Sequence, residues 1–182
     1  MEEKKMKMIM PFANGFEEIE ALAVVDLLRW AGIQVDMVGI VGSVITGARG
    51  VRVMMDKRLN EVRIDDYDGI ILPGGSPGYE NLGKSRVVME AIKQLNDRGK
   101  LVAAICYSPM LLAKAGVLDN RKATVYPGME NNIPYPREEK VVVDKNIITS
   151  QAPGTAINFA LTIIKYCLGP EKANKMKKTI VA

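Results

Sequence analysis

The sequence contains no histidine. That absence excludes a Ser-His-Asp triad, a Cys-His dyad and a histidine-ligated metal within one chain. Its two cysteines, Cys106 and Cys167, are too few for a disulfide framework or a cysteine-rich zinc site. Any chemistry must run on Cys, Glu, Asp, Lys, Tyr and backbone groups, with no metal and no other cofactor expected. No apolar run reaches the roughly 20 residues of a membrane span. Aromatic residues make up only 5% of the chain, and no long basic run is interleaved with them. Neither a membrane nor a nucleic acid is therefore an expected partner. The opening stretch, Met1 to Met10, mixes charges into a short apolar run and carries no signal-cleavage pattern. A reducing, cytoplasmic location is the expectation.

What is present fits one globular domain over residues 1–182. The composition is 48% hydrophobic and 25% charged, with a net charge of +4. A chain of this length buries about 70% of its unfolded surface, enough for a core without staples. Strand-like and helix-like segments alternate along it. Met6–Phe12, Gln34–Val41, Val51–Asp56, Asp68–Leu72, Leu101–Ile105, Ala123–Tyr126 and Lys140–Ser150 read as strands, the last with a hairpin around Asp144–Asn146. Glu17–Ala31, Ser85–Arg98, Pro109–Ala115 and Thr155–Leu168 read as helices, and Pro170 opens another. Glycines at 32 and 99 mark helix stops. Continuous apolar strands alternating with helices predict an α/β fold, a mostly parallel sheet covered on both faces.

Cys106 stands where the buried run Leu101–Ile105 ends and the helix at Pro109 is about to begin. Ligands of open α/β sheets bind beyond the carboxyl ends of the strands. A thiol facing a helix N-terminus gains thiolate character from backbone N–H groups and the helix dipole. The arrangement predicts a nucleophile at a strand-to-helix elbow. An inert cysteine closing a core strand fits the same position.

Glu20 separates the two readings. On a helical wheel, Val24, Leu27, Leu28 and Ala31 mark one face of Glu17–Ala31. Glu18, Asp26 and Arg29 mark the opposite face. Glu20 falls within the apolar stripe, in the first turn, at the same end of the sheet as Cys106. A carboxyl aimed into a core needs a partner or a proton. It can donate a hydrogen bond to a thiolate or shuttle a proton. Capping its own helix or reaching the rim is the alternative, while Glu17 and Glu18 are explained by the macrodipole. The run Leu72–Gly78 supplies glycines, Gly74 and Gly75 among them. Their N–H groups could form an oxyanion hole, or merely a tight turn. Cys167 reads as a core residue of its helix.

Gly15–Ala21, Leu72–Gly75, Ala103–Pro109 and Thr149–Thr155 together resemble the ThiJ/PfpI family, from Met8 to Val181. The likeness is closer to the branch of the parkinsonism-associated protein deglycase than to the PfpI protease branch, which places a histidine where Tyr107 stands. The resemblance implies a flavodoxin-like sandwich, a homodimer, and Cys106 as nucleophile hydrogen-bonded by Glu20. It implies that Gly75 and Tyr107 line the pocket through their N–H groups. Arg49 would reach toward a partner's site, and Pro153 and Gly154 would close over the pocket. Tyr126 replaces a pocket histidine, and its phenol, with a pKa near 10, is a poor base at neutral pH. The implied activity is glyoxalase- or deglycase-type, on methylglyoxal or related small carbonyls. A stress-response redox sensor, whose Cys106 oxidises to sulfinate, is the alternative. Peptidase chemistry lacks its histidine.

Overall fold

The computed structural model describes residues 5–182. In chain order the elements are β1 Lys7–Phe12, α1 Glu18–Ala31, β2 Gln34–Gly39, β3 Val44–Thr46, β4 Arg52–Met54, β5 Lys57–Arg58 and β6 Gly69–Leu72. There follow α2 Gly78–Lys84, α3 Arg86–Asp97, β7 Leu101–Ile105, α4 Pro109–Lys114, β8 Val141–Asp144, β9 Ile147–Ser150, α5 Ala156–Leu168 and α6 Pro170–Thr179. Seven strands form one sheet in the order β5-β2-β1-β6-β7-β9-β8. Every neighbouring pair is parallel except the β8–β9 hairpin. β3 and β4 form a separate antiparallel hairpin.

Strand alternation divides the core into two layers. Met8, Met10, Phe12, Ala103 and Ile105 pack with α1, α5 and α6. Ile9, Ile70, Leu72, Val102 and Ala104 pack with α2, α3 and α4. The predicted α/β sandwich, with helices on both faces, is therefore the architecture observed. α1 ends at Gly32, whose φ of +97° makes the left-handed cap that stops the helix. Ser85 caps α3 through its side chain.

Three local expectations change. Ala123–Tyr126 is not a strand: it makes one isolated bridge, Ala123 to Pro136. Pro136 brings no N–H donor to extend a ladder, and the Thr124 N–H is taken by the Thr149 hydroxyl at 2.9 Å. The segment Val51–Asp56 contributes only β4, which pairs with β3 outside the main sheet. Glu18 does not face solvent with Asp26 and Arg29. It is 8% exposed, and its Oε1 accepts the N–H groups of Arg49 at 2.7 Å and Val51 at 3.4 Å. A wheel sees one helix; here the β3–β4 loop covers the face that the wheel leaves open.

Candidate active site

β7 is buried throughout, and the chain turns sharply where it ends. Cys106 adopts φ +65°, the left-handed region that side chains with a Cβ avoid. That conformation costs about 1–2 kcal/mol and persists because neighbours fix it. The Cys106 N–H donates to Ser150 C=O at 3.0 Å, and its C=O accepts from Tyr126 N–H at 2.8 Å. Ser108, fully buried, donates through Oγ to Pro73 C=O at 2.5 Å. The elbow is thus tied to β9, to the Tyr126 loop and to the glycine turn after β6.

Glu20 is fully buried. The capping alternative fails, because Glu17 is the N-cap and its carboxylate accepts the Glu20 N–H at 2.9 Å. Glu20 Oε2 accepts the Gly74 N–H at 3.0 Å. Oε1 takes no hydrogen bond from another N–H or O–H among the described residues; the carboxyl is coupled to the Cys106 thiol. Burial raises the Glu20 pKa from 4.5 to about 7, aided by the Glu17 charge and opposed by the Cys106 and Gly74 hydrogen bonds.

The thiol differs from the expectation drawn from the helix N-terminus. Burial pushes Cys106 well above the ordinary thiol range, and the charge and hydrogen bond of Glu20 push the same way. The N–H groups of Gly75 and Tyr107 do pull it down, but they are outweighed. The Cys106 sulfur thus stands beside a carboxyl whose pKa of about 7 lies at neutral pH.

A cavity of about 280 Å³ opens on this pair. Cys106, Glu20, Gly75, Tyr107, Tyr126 and Pro153 line it, and so does Arg49, which the resemblance would send toward a partner's site. Gly74 sits behind the wall as the donor to Glu20. Gly154 is not brought to the cavity: it lies in the turn Pro153–Thr155, with open space around its Cα. Sequence reasoning missed Glu17, Ala48 and Ser76 as lining residues. Only Glu17 carried a signal, its place at the N-cap. Gly75 has φ +91°, and a Cβ there would stand 2.3 Å from the Glu17 nitrogen; glycine is required by space and conformation alike. Cys167 lies half-buried on α5, its thiol pushed up to about 12 by burial, and it does not line the cavity. No group of three or more potential metal ligands occurs among the described residues. No helix among them is long and apolar enough to cross a membrane.

Fold and site together define a class, a mostly parallel α/β sandwich with a cysteine on a strained elbow and a buried carboxyl beside it. The chain belongs to the DJ-1/PfpI family, which it matches over residues 6–166. It is 38% identical to the protein dj-1beta of Drosophila melanogaster, over 93% of both chains. It is 35% identical to the glutathione-independent glyoxalase DJR-1.2 of Caenorhabditis elegans, over 99% of this chain and 98% of that one. Among solved structures it resembles oxidized Toxoplasma gondii DJ-1, with a TM-score of 0.94 and 36% identity, over 97% of this chain and 98% of that one.

Proposed function

We propose that the protein is a cofactor-independent glyoxalase that converts methylglyoxal or a related α-oxoaldehyde to the hydroxy acid. Ionised Glu20 takes the Cys106 proton as Sγ adds to the aldehyde carbon and returns it to the resulting alkoxide oxygen, giving a hemithioacetal and an ionised Glu20 once more. The Gly75 and Tyr107 N–H groups stabilise charge at sulfur during the addition. Glu20 then moves the carbon-bound proton from the former aldehyde carbon to the ketone carbon, while the hemithioacetal hydroxyl proton passes to the ketone oxygen. The first carbon is oxidised to a thioester and the second is reduced to an alcohol. Water cleaves the thioester, returning the thiol and releasing lactate from methylglyoxal. The balance is one aldehyde plus one water, with no external oxidant or reductant.

The observation that carries this reading is the buried Glu20 carboxyl, coupled to Cys106 with a pKa of about 7. That value suits a group that accepts and returns protons at neutral pH. A full-length relative named as a glyoxalase supports it. The test is lactate formation from methylglyoxal by wild type, Cys106→Ser and Glu20→Gln. Loss in both variants is expected; equal activity in all three would overturn the assignment.

A second reading, Cys106 oxidation to sulfinate in a stress response, is favoured by the Gly75 and Tyr107 N–H groups, which point at sulfur and would hold a sulfinate. Intact mass after mild peroxide tests it: two added oxygens, absent from Cys106→Ser, are expected. A homodimer is also proposed, with Ile19, Val44, Val51 and Met54, all exposed, as its apolar contact. Two free thiols suit a reducing cytoplasm.

A further inference from the structure

One wall of the Cys106 cavity is aromatic. Tyr107 follows the nucleophile directly, and its ring centroid lies 4.9 Å from that of Tyr126. Tyr79 backs Tyr107 from outside the cavity at 5.2 Å. The rings are tilted by 41° and 35°, arrangements that aromatic groups favour over face-to-face stacking. The Tyr126 N–H is fixed to the Cys106 carbonyl at 2.8 Å, so its ring is held relative to the nucleophile. Tyr126 remains 36% exposed, and core packing does not use up its ring. The other chemistry-bearing walls are Glu17 and Glu20 against Arg49, a balance that disfavours a substrate bringing another carboxylate. A methyl substituent leaves much of a 280 Å³ cavity unfilled, since one water takes roughly 30 Å³.

We propose that this tyrosine wall selects α-oxoaldehydes bearing a neutral aryl group. The aryl group lies against Tyr126 and Tyr107 while the aldehyde carbon meets Cys106. The proposal rests on the glyoxalase reading of the same site and names its substrate class. The ring adds aromatic contact and excludes water from the addition step.

The experiment compares initial rates with phenylglyoxal and methylglyoxal, before either aldehyde modifies arginine. Wild type should show kcat/KM at least tenfold higher for phenylglyoxal. Tyr126→Phe should keep that ratio, and Tyr126→Ala should lose most of it. Equal kcat/KM for the two aldehydes, or a preference that survives Tyr126→Ala, overturns the proposal. A parallel arm measures binding of mandelamide and lactamide by ligand-observed NMR; neither has an aldehyde to react. If the protein turns over neither aldehyde yet binds mandelamide preferentially, and Tyr126→Ala abolishes that preference, the glyoxalase reading falls and the aryl wall stands. With no turnover and equal binding of the amides, the wall falls as well.

Discussion

The Gly74 N–H donates to Glu20 Oε2 at 3.0 Å, and the Gly74 carbonyl accepts the N–H of Glu17 at 2.9 Å. One residue of the glycine turn thus grips both the cap of α1 and the buried carboxyl of its first turn. A Cβ built on Gly74 would stand 2.4 Å from Glu20 Oε2 and 2.5 Å from Cys106 Cβ. The carboxyl and the thiol stand side by side because nothing larger than hydrogen occupies that point.

Gly74→Ala should therefore push Glu20 and Cys106 apart. Methylglyoxal turnover should fall at least tenfold in kcat/KM, the loss that about 1.4 kcal/mol of transition-state stabilisation represents. Gly154→Ala is the control. Beyond its two chain neighbours, no residue comes within 4 Å of the added Cβ, so thermal unfolding should stay within about 0.5 kcal/mol of wild type. A Gly74→Ala protein with wild-type kcat/KM would contradict this geometry.

Much of this site could be read before the fold was known, for physical reasons that also mark the limit. Glu20 was legible because a carboxyl in an apolar stripe violates its own helix's pattern. Cys106 was legible because the strand Leu101–Ile105 is continuous and stops abruptly. Glu18 was misread because the hairpin that buries it is built from residues 44–54, which no wheel contains. The thiol's pKa direction was misread because the helix N-terminus shows in the sequence, whereas burial and the nearness of Glu20 arise only on folding. The helix Gly78–Lys84 was missed because its Gly-Ser-Pro-Gly entry reads as a turn. Tyr126 was placed by resemblance alone; the strand expected to carry it does not form.

Asp36, on β2, is a buried carboxylate outside the candidate site. It is 6% exposed, and it accepts from Lys57 Nζ and Tyr67 Oη, both at 2.8 Å. Burial alone would raise its pKa, but these hydrogen bonds outweigh burial and hold it at about 2, below the ordinary 3.8. A depressed acid stabilises the fold above its unfolded pKa, and that stability is lost as pH falls toward 2. Lys57 is partly exposed, so solvent screening reduces the gain. Asp36→Asn should cost about 1–2 kcal/mol at pH 7, with a smaller cost at pH 3. Urea unfolding at both pH values checks this; a pH-independent cost would contradict it.

The proposed dimer has its own test. Glu18 ties α1 to the β3–β4 loop, so Ile19 and Val51 belong to neighbouring, mutually fixed segments. Val51 is 46% exposed and Met54 75% exposed, and a second copy would cover both. Sedimentation equilibrium should give a dimer for wild type and a shift to monomer for Val51→Asp, since an unpaired charge in an apolar contact is costly. A wild-type monomer at micromolar concentration would exclude the contact.

Under the proposed glyoxalase chemistry, Glu20 should make activity and stability respond to pH in opposite directions. Its folded pKa of about 7 lies above the ordinary 4.5. Between those values the folded protein keeps a proton that the unfolded chain has released. Stability therefore falls as pH rises through this window, and the full cost remains above pH 7. A shift of this size corresponds to about 3 kcal/mol. Glu20→Gln removes the charge but keeps an oxygen that can accept from Gly74. The variant should exceed wild type in unfolding free energy by up to about 3 kcal/mol at pH 8, and the two should converge below pH 4.5. Turnover behaves the other way. Wild-type kcat/KM should rise through pH 7 as Glu20 ionises and becomes able to take the thiol proton, and that limb should vanish in Glu20→Gln. Urea titrations and rate profiles from pH 4.5 to 8.5 measure both. A Glu20→Gln protein less stable than wild type at every pH would mean that the buried carboxylate carries no such cost. The proton-accepting form of the protein would then no longer be its less stable form.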